Sequence, residues 1–224
     1  MLFDLASLTK ILVSVPLMLL EFDKNELSLD TNLSDIYKEY NLKDKSNIRF
    51  DEMFSHQAAL IPWIPFYKET LDSTQSRQLN NFYSKIPSNK FSYQVADELY
   101  MANYWNDTIM KRLVDSELLK VKEYRYSDVP YYFLKSYLES KYEKSLDLII
   151  KNEVFSKITA TSLTYNPRDY YPKDQIVPSE IDSYFRFTKL QGFVHDMGAA
   201  MQGGIGGHAG LFRSEEHTSE LQSP

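Results

Sequence analysis

A serine and a lysine stand three positions apart near the start of the chain, at Ser7 and Lys10. On a helix this spacing puts both side chains on one face, one turn apart. A serine hydroxyl becomes an effective nucleophile when a base takes its proton, and a lysine is that base only where burial or cationic neighbours favour its neutral form. If Ser7 opens a helix, its amide lies at the positive end of the helix dipole, where an oxyanion is stabilised. Taken alone, the pair is more typical of an N-capping serine beside a solvated lysine, and acyl-transfer chemistry is the alternative.

The composition limits the classes of function. The chain has 224 residues, enough for one large domain or two small ones, and its 43% hydrophobic content is typical of a globular protein. The net charge of -6 gives no indication of the basic surface that a nucleic-acid-binding protein needs. Cysteine is absent, which excludes disulfides and thiolate metal sites. The four histidines, at positions 56, 195, 208 and 217, lack metal-ligand spacing, so we expect neither a metal nor a cofactor.

The first long apolar segment must carry the Ser7–Lys10 pair. Residues 7–23 are predicted as a helix, kinked at Pro16 and apolar on nearly every side, which places it in the middle of the protein. Residues 11–20 could instead be the apolar part of a secretory signal. They are too short to span a bilayer, and no small-residue cleavage site follows them.

The rest of the chain is predicted to be mainly helical. Strand signals are scarce, so the domain is either all-α or incomplete. The glycine-rich stretch 203–210 lacks the Gly-Lys-Ser/Thr ending of a phosphate loop. The predicted helices are 33–40, 48–54, 96–119, 129–142 and 145–154, and the predicted irregular segments are 61–95 and 159–183.

The last twelve residues, 213–224, break the pattern of the preceding sequence. The stretch Glu-Glu-His-Thr-Ser-Glu has no apolar periodicity and follows Gly-Leu-Phe abruptly. One reading frame of a common sequencing-adapter oligonucleotide encodes the same residues. We therefore interpret 213–224 as a non-native tail and expect the natural protein to continue past Phe212.

Six stretches, in order, resemble motifs of the serine β-lactamase and penicillin-binding-protein superfamily, in the branch that includes class C enzymes and related esterases. The similarity covers nearly all of residues 2–212. It is greatest to the β-lactamase-like domain that some bacteria, Bacteroidetes especially, carry fused to a family-three glycoside hydrolase. The stretches are Phe3–Lys10, Asn25–Asp30, Met53–Leu60, Tyr126–Asp128, Val194–Asp196 and Gly206–Phe212.

The resemblance implies an α+β fold, a helical region packed on an antiparallel sheet, of which this chain supplies mainly the helical part. It implies that Ser7 is the acylated nucleophile and that Lys10 is the base, alone or with Tyr126. Tyr126 would relay a proton to the leaving group. His56 would be a structural residue that braces a turn.

Two further residues are expected to contact substrate. Asp128 stands where the family usually has Asn, and an ionised Asp only accepts hydrogen bonds. It could pair with Lys10 and so weaken the lysine as a free base. His195 is expected to line the cleft, with a structural pair between His195 and Asp196 as the alternative. His208 precedes the position of the family's third motif and is not expected to belong to it.

The third motif, the strands that carry the second oxyanion-hole amide and the elements before the serine have no counterpart in this sequence. We therefore expect residues 1–212 to be a partial domain, truncated at both ends and nearly inactive alone. By resemblance, the parent is extracytoplasmic and acts on peptidoglycan peptides, β-lactams or esters. The alternatives are a non-catalytic relative that binds cell wall or a partner, and an unrelated helical interaction protein. The sequence leaves the oligomeric state open.

Overall fold

The computed structural model describes residues 1–38, 40–158, 160 and 162–215. Within them the α-helices are α1 (Val15–Asp23), α2 (Leu33–Ile36), α3 (Phe50–Phe54), α4 (Trp105–Asp115), α5 (Val129–Tyr142), α6 (Leu146–Glu153) and α7 (Met197–Ala200). The strands are β1 (Leu2–Asp4), β2 (Tyr83–Ser84), β3 (Phe91–Ala96), β4 (Leu99–Ala102), β5 (Pro178–Asp182), β6 (Thr188–Gln191) and β7 (Phe212–Ser214). Among the helices of this described part, none is long and apolar enough to cross a membrane.

The helix predicted to carry the reactive pair is present but irregular. A π-helix, Lys10–Ser14, leads directly into α1, and the Val15 N–H donates to the Lys10 carbonyl five residues back. Pro16 stands in the first turn of α1, where its missing N–H disturbs the hydrogen-bond pattern least. The kink expected at Pro16 therefore takes the form of a π turn just before it.

One face of this helix is not covered. Leu8, Ile11 and Leu19 are 55%, 64% and 55% exposed, whereas Val13 and Leu17 on the opposite face are fully buried. The sequence predicted burial on every side, so that prediction holds for one face only among the described residues. The exposed side chains share one helical stripe, because they lie three and eight positions apart.

Helix α5 lies at the junction of two apolar clusters, which explains why its first two turns are apolar all round. Phe133 belongs to a cluster with α4 and the β2–β4–β3 sheet, and Leu134 and Leu138 belong to a second cluster with α1 and α6. The predicted helices 129–142 and 145–154 are confirmed, the first with the same bounds. Helices α2 and α3 lie inside the predicted 33–40 and 48–54 but are shorter.

The strands are more numerous than predicted. In the part of the chain that the structure describes, the three sheets are antiparallel, with strand orders β1–β7, β2–β4–β3 and β5–β6. The predicted helix 96–119 is wrong at both ends, because β4 occupies its start and only α4 is α-helical. Residues 61–95 and 159–183 are also not wholly irregular, since they contain β2, most of β3 and all of β5. The described chain therefore combines helices with small antiparallel sheets, as an α+β fold requires.

Strands β1 and β7 bring the first and the last parts of the described chain together. Asp4 pairs with Phe212 and Leu2 with Ser214. The Leu5 N–H then donates to the Leu211 carbonyl at 2.9 Å, which extends the pairing toward Ser7. The proposed non-native tail thus begins inside β7, and its residues 216–224 lie outside the described residues.

A buried carboxylate links α1 to the end of α5. Glu21 is fully buried and accepts hydrogen bonds from Lys141 and from the Tyr142 hydroxyl. Burial alone would raise the pKa of Glu21, but these two donors and the charge of Lys141 outweigh it and lower the pKa below its ordinary value of 4.5. The charged form is therefore the one that stabilises the fold.

We expect Glu21→Gln to lower the free energy of unfolding by about 2 kcal/mol near neutral pH, because the charged hydrogen bonds are lost. The contribution of Glu21 is complete above pH 4.5 and is lost as the pH falls through its lowered pKa, so the difference from the parent protein narrows in acid. Urea denaturation across this range measures both effects. Glu26→Gln is the control, since Glu26 also faces Lys141 but is exposed, and a change of less than about 0.5 kcal/mol is expected there. A difference that widens in acid would contradict the assignment.

Candidate active site

Ser7 lies at a strained turn between β1 and the π-helix. The preceding residue, Ala6, has φ +46°, in the left-handed region that residues with a Cβ seldom adopt. Asp4 supports this turn, because its Oδ1 accepts from the Ala6 N–H at 2.8 Å while its Oδ2 accepts from the His195 N–H at 2.7 Å. Burial raises the pKa of Asp4, although both N–H donors oppose the shift. The Ser7 side chain is exposed at the start of the first helical turn.

Lys10 is buried directly beneath Ser7. Its Nζ donates to Ser7 Oγ at 2.9 Å, lies 2.7 Å from Asp128 Oδ1 and donates to the His208 carbonyl at 3.3 Å. The ammonium also lies over the Tyr126 ring, 4.9 Å from its centroid. Three oxygens and an aromatic face therefore surround the lysine head, and the pairing of Lys10 with Asp128 expected from the sequence is present. Each of these contacts is one that the ammonium group of a lysine makes.

The segment with Tyr126 and Asp128 is held by the turn at His56, as expected for a bracing residue. The His56 carbonyl accepts from the Arg125 N–H at 2.8 Å, and its Nδ1 accepts from the Ser127 N–H at 3.1 Å. Its ring packs against the half-exposed Tyr126 ring, with centroids 4.7 Å apart. Burial and the charge of Lys10 lower the pKa of His56, so its ring is neutral near pH 7 and Nδ1 remains an acceptor.

The glycine-rich stretch forms the opposite wall and is fastened along the Ser7 helix. Leu211 N–H donates to Thr9 Oγ1 at 3.2 Å, and Ser14 Oγ donates to the Gly207 carbonyl at 2.6 Å. Gly207 has no room for a side chain, because a Cβ there would lie 2.5 Å from the Tyr131 carbonyl oxygen. The stretch is thus a backbone wall that contacts the helix beside Lys10, not a phosphate loop.

Asp196 and His208 form a pair that the sequence did not predict. His208 Nε2 lies 2.8 Å from Asp196 Oδ1, and both residues belong to stretches that resemble the family. No fixed spacing connects them in sequence, so only the folded chain shows the contact. The alternative reading of His195–Asp196 as a structural pair is wrong, since Asp196 bonds to His208 instead.

Asp128, Asp196 and His208 are the described residues that could hold a metal ion, because one ligand atom from each lies within 4.8 Å of the others. Lys10 is also part of this group, with its ammonium against Asp128. A divalent cation here would have to displace that ammonium. The positive charge that this carboxylate cluster needs is already supplied by the chain itself.

His195 lies apart from the Lys10 cluster. Its half-exposed ring contacts Glu180, with His195 Nε2 3.2 Å from Glu180 Oε2. It lines a groove of about 290 Å³ that also includes Asp4 and Ala6, next to the nucleophile. The structure therefore brings Ser7, Lys10, Tyr126 and Asp128 together and places His195 beside them on the surface.

Comparison with solved structures identifies the fold. The octameric penicillin-binding protein homologue from Pyrococcus abyssi matches with TM-score 0.59 and 13% identity over 95% of this chain and 42% of its own. The β-lactamase/D-alanine carboxypeptidase from Yersinia pestis, in complex with citrate, matches with TM-score 0.58 and 17% identity over 98% and 52%. The D-amino acid amidase from Ochrobactrum anthropi, in complex with D-phenylalanine, matches with TM-score 0.55 and 10% identity over 95% and 53%. No family model and no curated protein sequence matches the chain.

The chain therefore has the α+β fold of the serine β-lactamases and penicillin-binding proteins, as the six ordered stretches implied. It spans about half the length of the solved structures that it matches. At these identities the likeness extends to the fold, and the reaction has to be argued from the site.

Proposed function

We propose that this chain carries the nucleophile, base and proton relay of a serine hydrolase that acts on an amide or ester through an acyl-enzyme. The observation that carries the proposal is the 2.9 Å contact between the buried Lys10 Nζ and the exposed Ser7 Oγ, at the edge of a polar cluster. Asp128 and His208, which complete that cluster, lie 118 and 198 residues from Lys10 in sequence. An N-capping serine beside a solvated lysine would not require such a cluster.

In the proposed reaction Lys10 first passes a proton to Asp128, across the 2.7 Å that separates them. The neutral amine then takes the hydroxyl proton of Ser7 as Oγ attacks the substrate carbonyl. When the bond to the leaving group breaks, Tyr126 relays the proton from Lys10 to the departing nitrogen or oxygen. Lys10 then takes a proton from the water that attacks the acyl-enzyme and gives it to Ser7 Oγ as the acyl group leaves. Asp128 finally returns its proton to Lys10, which restores the resting ion pair.

The names of the matched structures, a penicillin-binding protein homologue, a β-lactamase/carboxypeptidase and an amidase, support a substrate with a reactive amide carbonyl. We propose a small-molecule substrate or a peptidoglycan peptide, with His195 contacting it from the adjoining groove. We propose as well that the parent protein is extracytoplasmic and is fused to a glycoside hydrolase domain.

We also propose that residues 1–212 are one part of a larger domain and that the chain alone reacts slowly. The exposed apolar stripe of Leu8, Ile11 and Leu19 supports this, because a layer of further polypeptide would bury it. A missing oxyanion-hole donor costs on the order of 3 kcal/mol, or about a hundredfold in rate.

Labelling with a fluorescent penicillin tests the proposal on the chain as it stands. We expect slow covalent labelling, with the adduct on the peptide that contains Ser7 by mass spectrometry, and no labelling of Ser7→Ala. Ser14→Ala is the control, since Ser14 is a buried serine on the same helix that donates to a carbonyl. Labelling that persists in Ser7→Ala would overturn the nucleophile assignment, and labelling within minutes at micromolar reagent would overturn the slow reaction.

The second candidate is a non-catalytic relative whose cleft only binds cell-wall peptide. The Lys10–Asp128 ion pair favours it, because a lysine kept charged does not accept the proton of serine. Saturable binding of a peptidoglycan stem peptide by calorimetry, with no adduct on Ser7 after prolonged incubation, would select this function. Formation of the adduct would exclude it.

A further inference from the structure

The buried His208 and the half-buried Asp196 form a pair that the proposed reaction does not use. The His208 ring is 1% exposed and stacks on Tyr132, with centroids 4.6 Å apart. Asp196 Oδ1 also accepts from the Ala199 N–H at 2.7 Å, at the start of α7. Burial alone would raise the pKa of Asp196, but the charges of His208 and Lys10 and these hydrogen bonds hold it well below its usual range. Since the ionised carboxylate only accepts, His208 donates from Nε2.

The pair fixes an atom that Lys10 uses. The backbone carbonyl of His208 is one of the three oxygens around the ammonium, at 3.3 Å from Nζ. Asp196 and Tyr132 hold the His208 ring and so restrain the residue whose carbonyl faces the lysine. The neighbouring Gly207 carbonyl is held independently by Ser14. The contact of the His208 ring with Asp196 and the contact of the Gly207 carbonyl with Ser14 therefore restrain the same short segment.

The pair also places a second negative charge near the lysine. Lys10 interacts with Asp196 strongly enough to lower the pKa of that carboxyl, and interaction between two charges is mutual. The titratable groups that surround Lys10 are Asp128, Tyr126, Tyr131, His56, Asp196 and His208. Of these, Asp128 and Asp196 are the acids. The ammonium is thus stabilised from two elements, the start of α5 and the start of α7.

We propose that Asp196 and His208 are a positioning pair for Lys10, in which Asp196 holds the His208 ring and the His208 carbonyl fixes Nζ. The catalytic meaning of this pair rests on the proposed acyl transfer. The position of Lys10 is nevertheless measurable without turnover. It therefore provides a test that is separate from the labelling of Ser7.

The test is an NMR measurement of proton exchange at the Lys10 ammonium in isotopically labelled protein, with the signal assigned by its loss in Lys10→Arg. Asp196→Asn replaces the charged acceptor of His208 Nε2 by a neutral one and weakens that hydrogen bond, so we expect exchange of the ammonium protons with water to rise about threefold. His208→Ala removes the hold on the carbonyl, so we expect exchange of the ammonium protons with water to rise about tenfold. His208→Gln retains a donor near the position of Nε2, and we expect it to restore slow exchange.

Asp35→Asn is the matched control, because Asp35 also accepts a backbone N–H at a helix start, far along the chain from the site. It should leave the Lys10 exchange rate unchanged. If the exchange rate stays at the parent value in both Asp196→Asn and His208→Ala, the pair only stabilises the fold and the proposal is wrong. If His208→Ala does not fold, the exchange rate in Asp196→Asn decides the question. Faster exchange in Asp196→Asn without any Ser7 adduct in the parent protein would keep the positioning pair and overturn the acyl transfer.

Discussion

Replacing Lys10 by arginine is expected to lower the rate of penicillin labelling at Ser7 by about a thousandfold, to the level of Lys10→Ala. The guanidinium retains the positive charge beside Asp128 but does not lose a proton at any working pH. It can therefore satisfy the ion pair and cannot act as the base. The comparison of Lys10→Arg with the parent protein separates the role of the lysine as a counter-charge from its role as a base. Lys10→Ala removes both roles together.

The measurement is the pseudo-first-order labelling rate by intact-protein mass spectrometry, beside thermal unfolding of each variant. Lys10→Ala leaves the partly buried Asp128 without its counter-charge, so we expect it to be less stable than Lys10→Arg. Lys24→Arg, at the exposed end of the same helix, serves as the control and should label at the parent rate. If Lys10→Arg kept more than about a tenth of the parent rate, the lysine would not be the base.

The reactive pair itself could be predicted because it is local. Ser7 and Lys10 are one helical turn apart, so a single helix is enough to bring them together. Tyr126 and Asp128 were found only through ordered resemblance, since no spacing rule relates them to Lys10. The contact between Asp196 and His208 depends on how the glycine-rich wall docks on the helix, and no local signal encodes that docking.

The helices were predictable where periodicity and length agreed, as in Val129–Tyr142. The hairpin of β3 and β4 was missed because its two-residue loop, Asp97–Glu98, has no glycine or asparagine. Glu98 adopts φ +50° there, a left-handed conformation that is not predicted for a glutamate. Strands β1 and β7 are three residues each and pair across more than 200 positions, so neither carries a strand pattern of its own.

A buried ion pair away from the nucleophile fixes the segment that contains His195. Asp182 and Arg186 are both buried, with Arg186 Nε 2.7 Å from Asp182 Oδ2. The guanidinium also donates to the carbonyls of Val194 and His195, each at 2.7 Å. Burial would raise the pKa of Asp182, but Arg186 and the N–H groups of the following turn lower it. The pair thus joins the end of β5 to the chain that leads into Asp196.

We expect Asp182→Ala to lower the free energy of unfolding by about 3 to 5 kcal/mol, because it leaves the buried guanidinium without a counter-charge. Urea denaturation near neutral pH measures the loss. Glu69→Ala is the matched control, since it breaks an exposed bidentate pair with Arg112 and should cost less than about 1 kcal/mol.

The double replacement Asp182→Leu with Arg186→Met separates the destabilisation caused by an unpaired charge from the net contribution of the ion pair. If the unpaired guanidinium is what destabilises Asp182→Ala, the double variant should recover much of the lost free energy of unfolding, because neither buried charge then remains. The backbone N–H groups that Asp182 caps, and the two carbonyls that Arg186 holds, would still lack partners. The double variant should therefore remain less stable than the parent protein. Equal stability of the double variant and Asp182→Ala would place the cost in those backbone contacts, not in the charge, and would contradict the prediction.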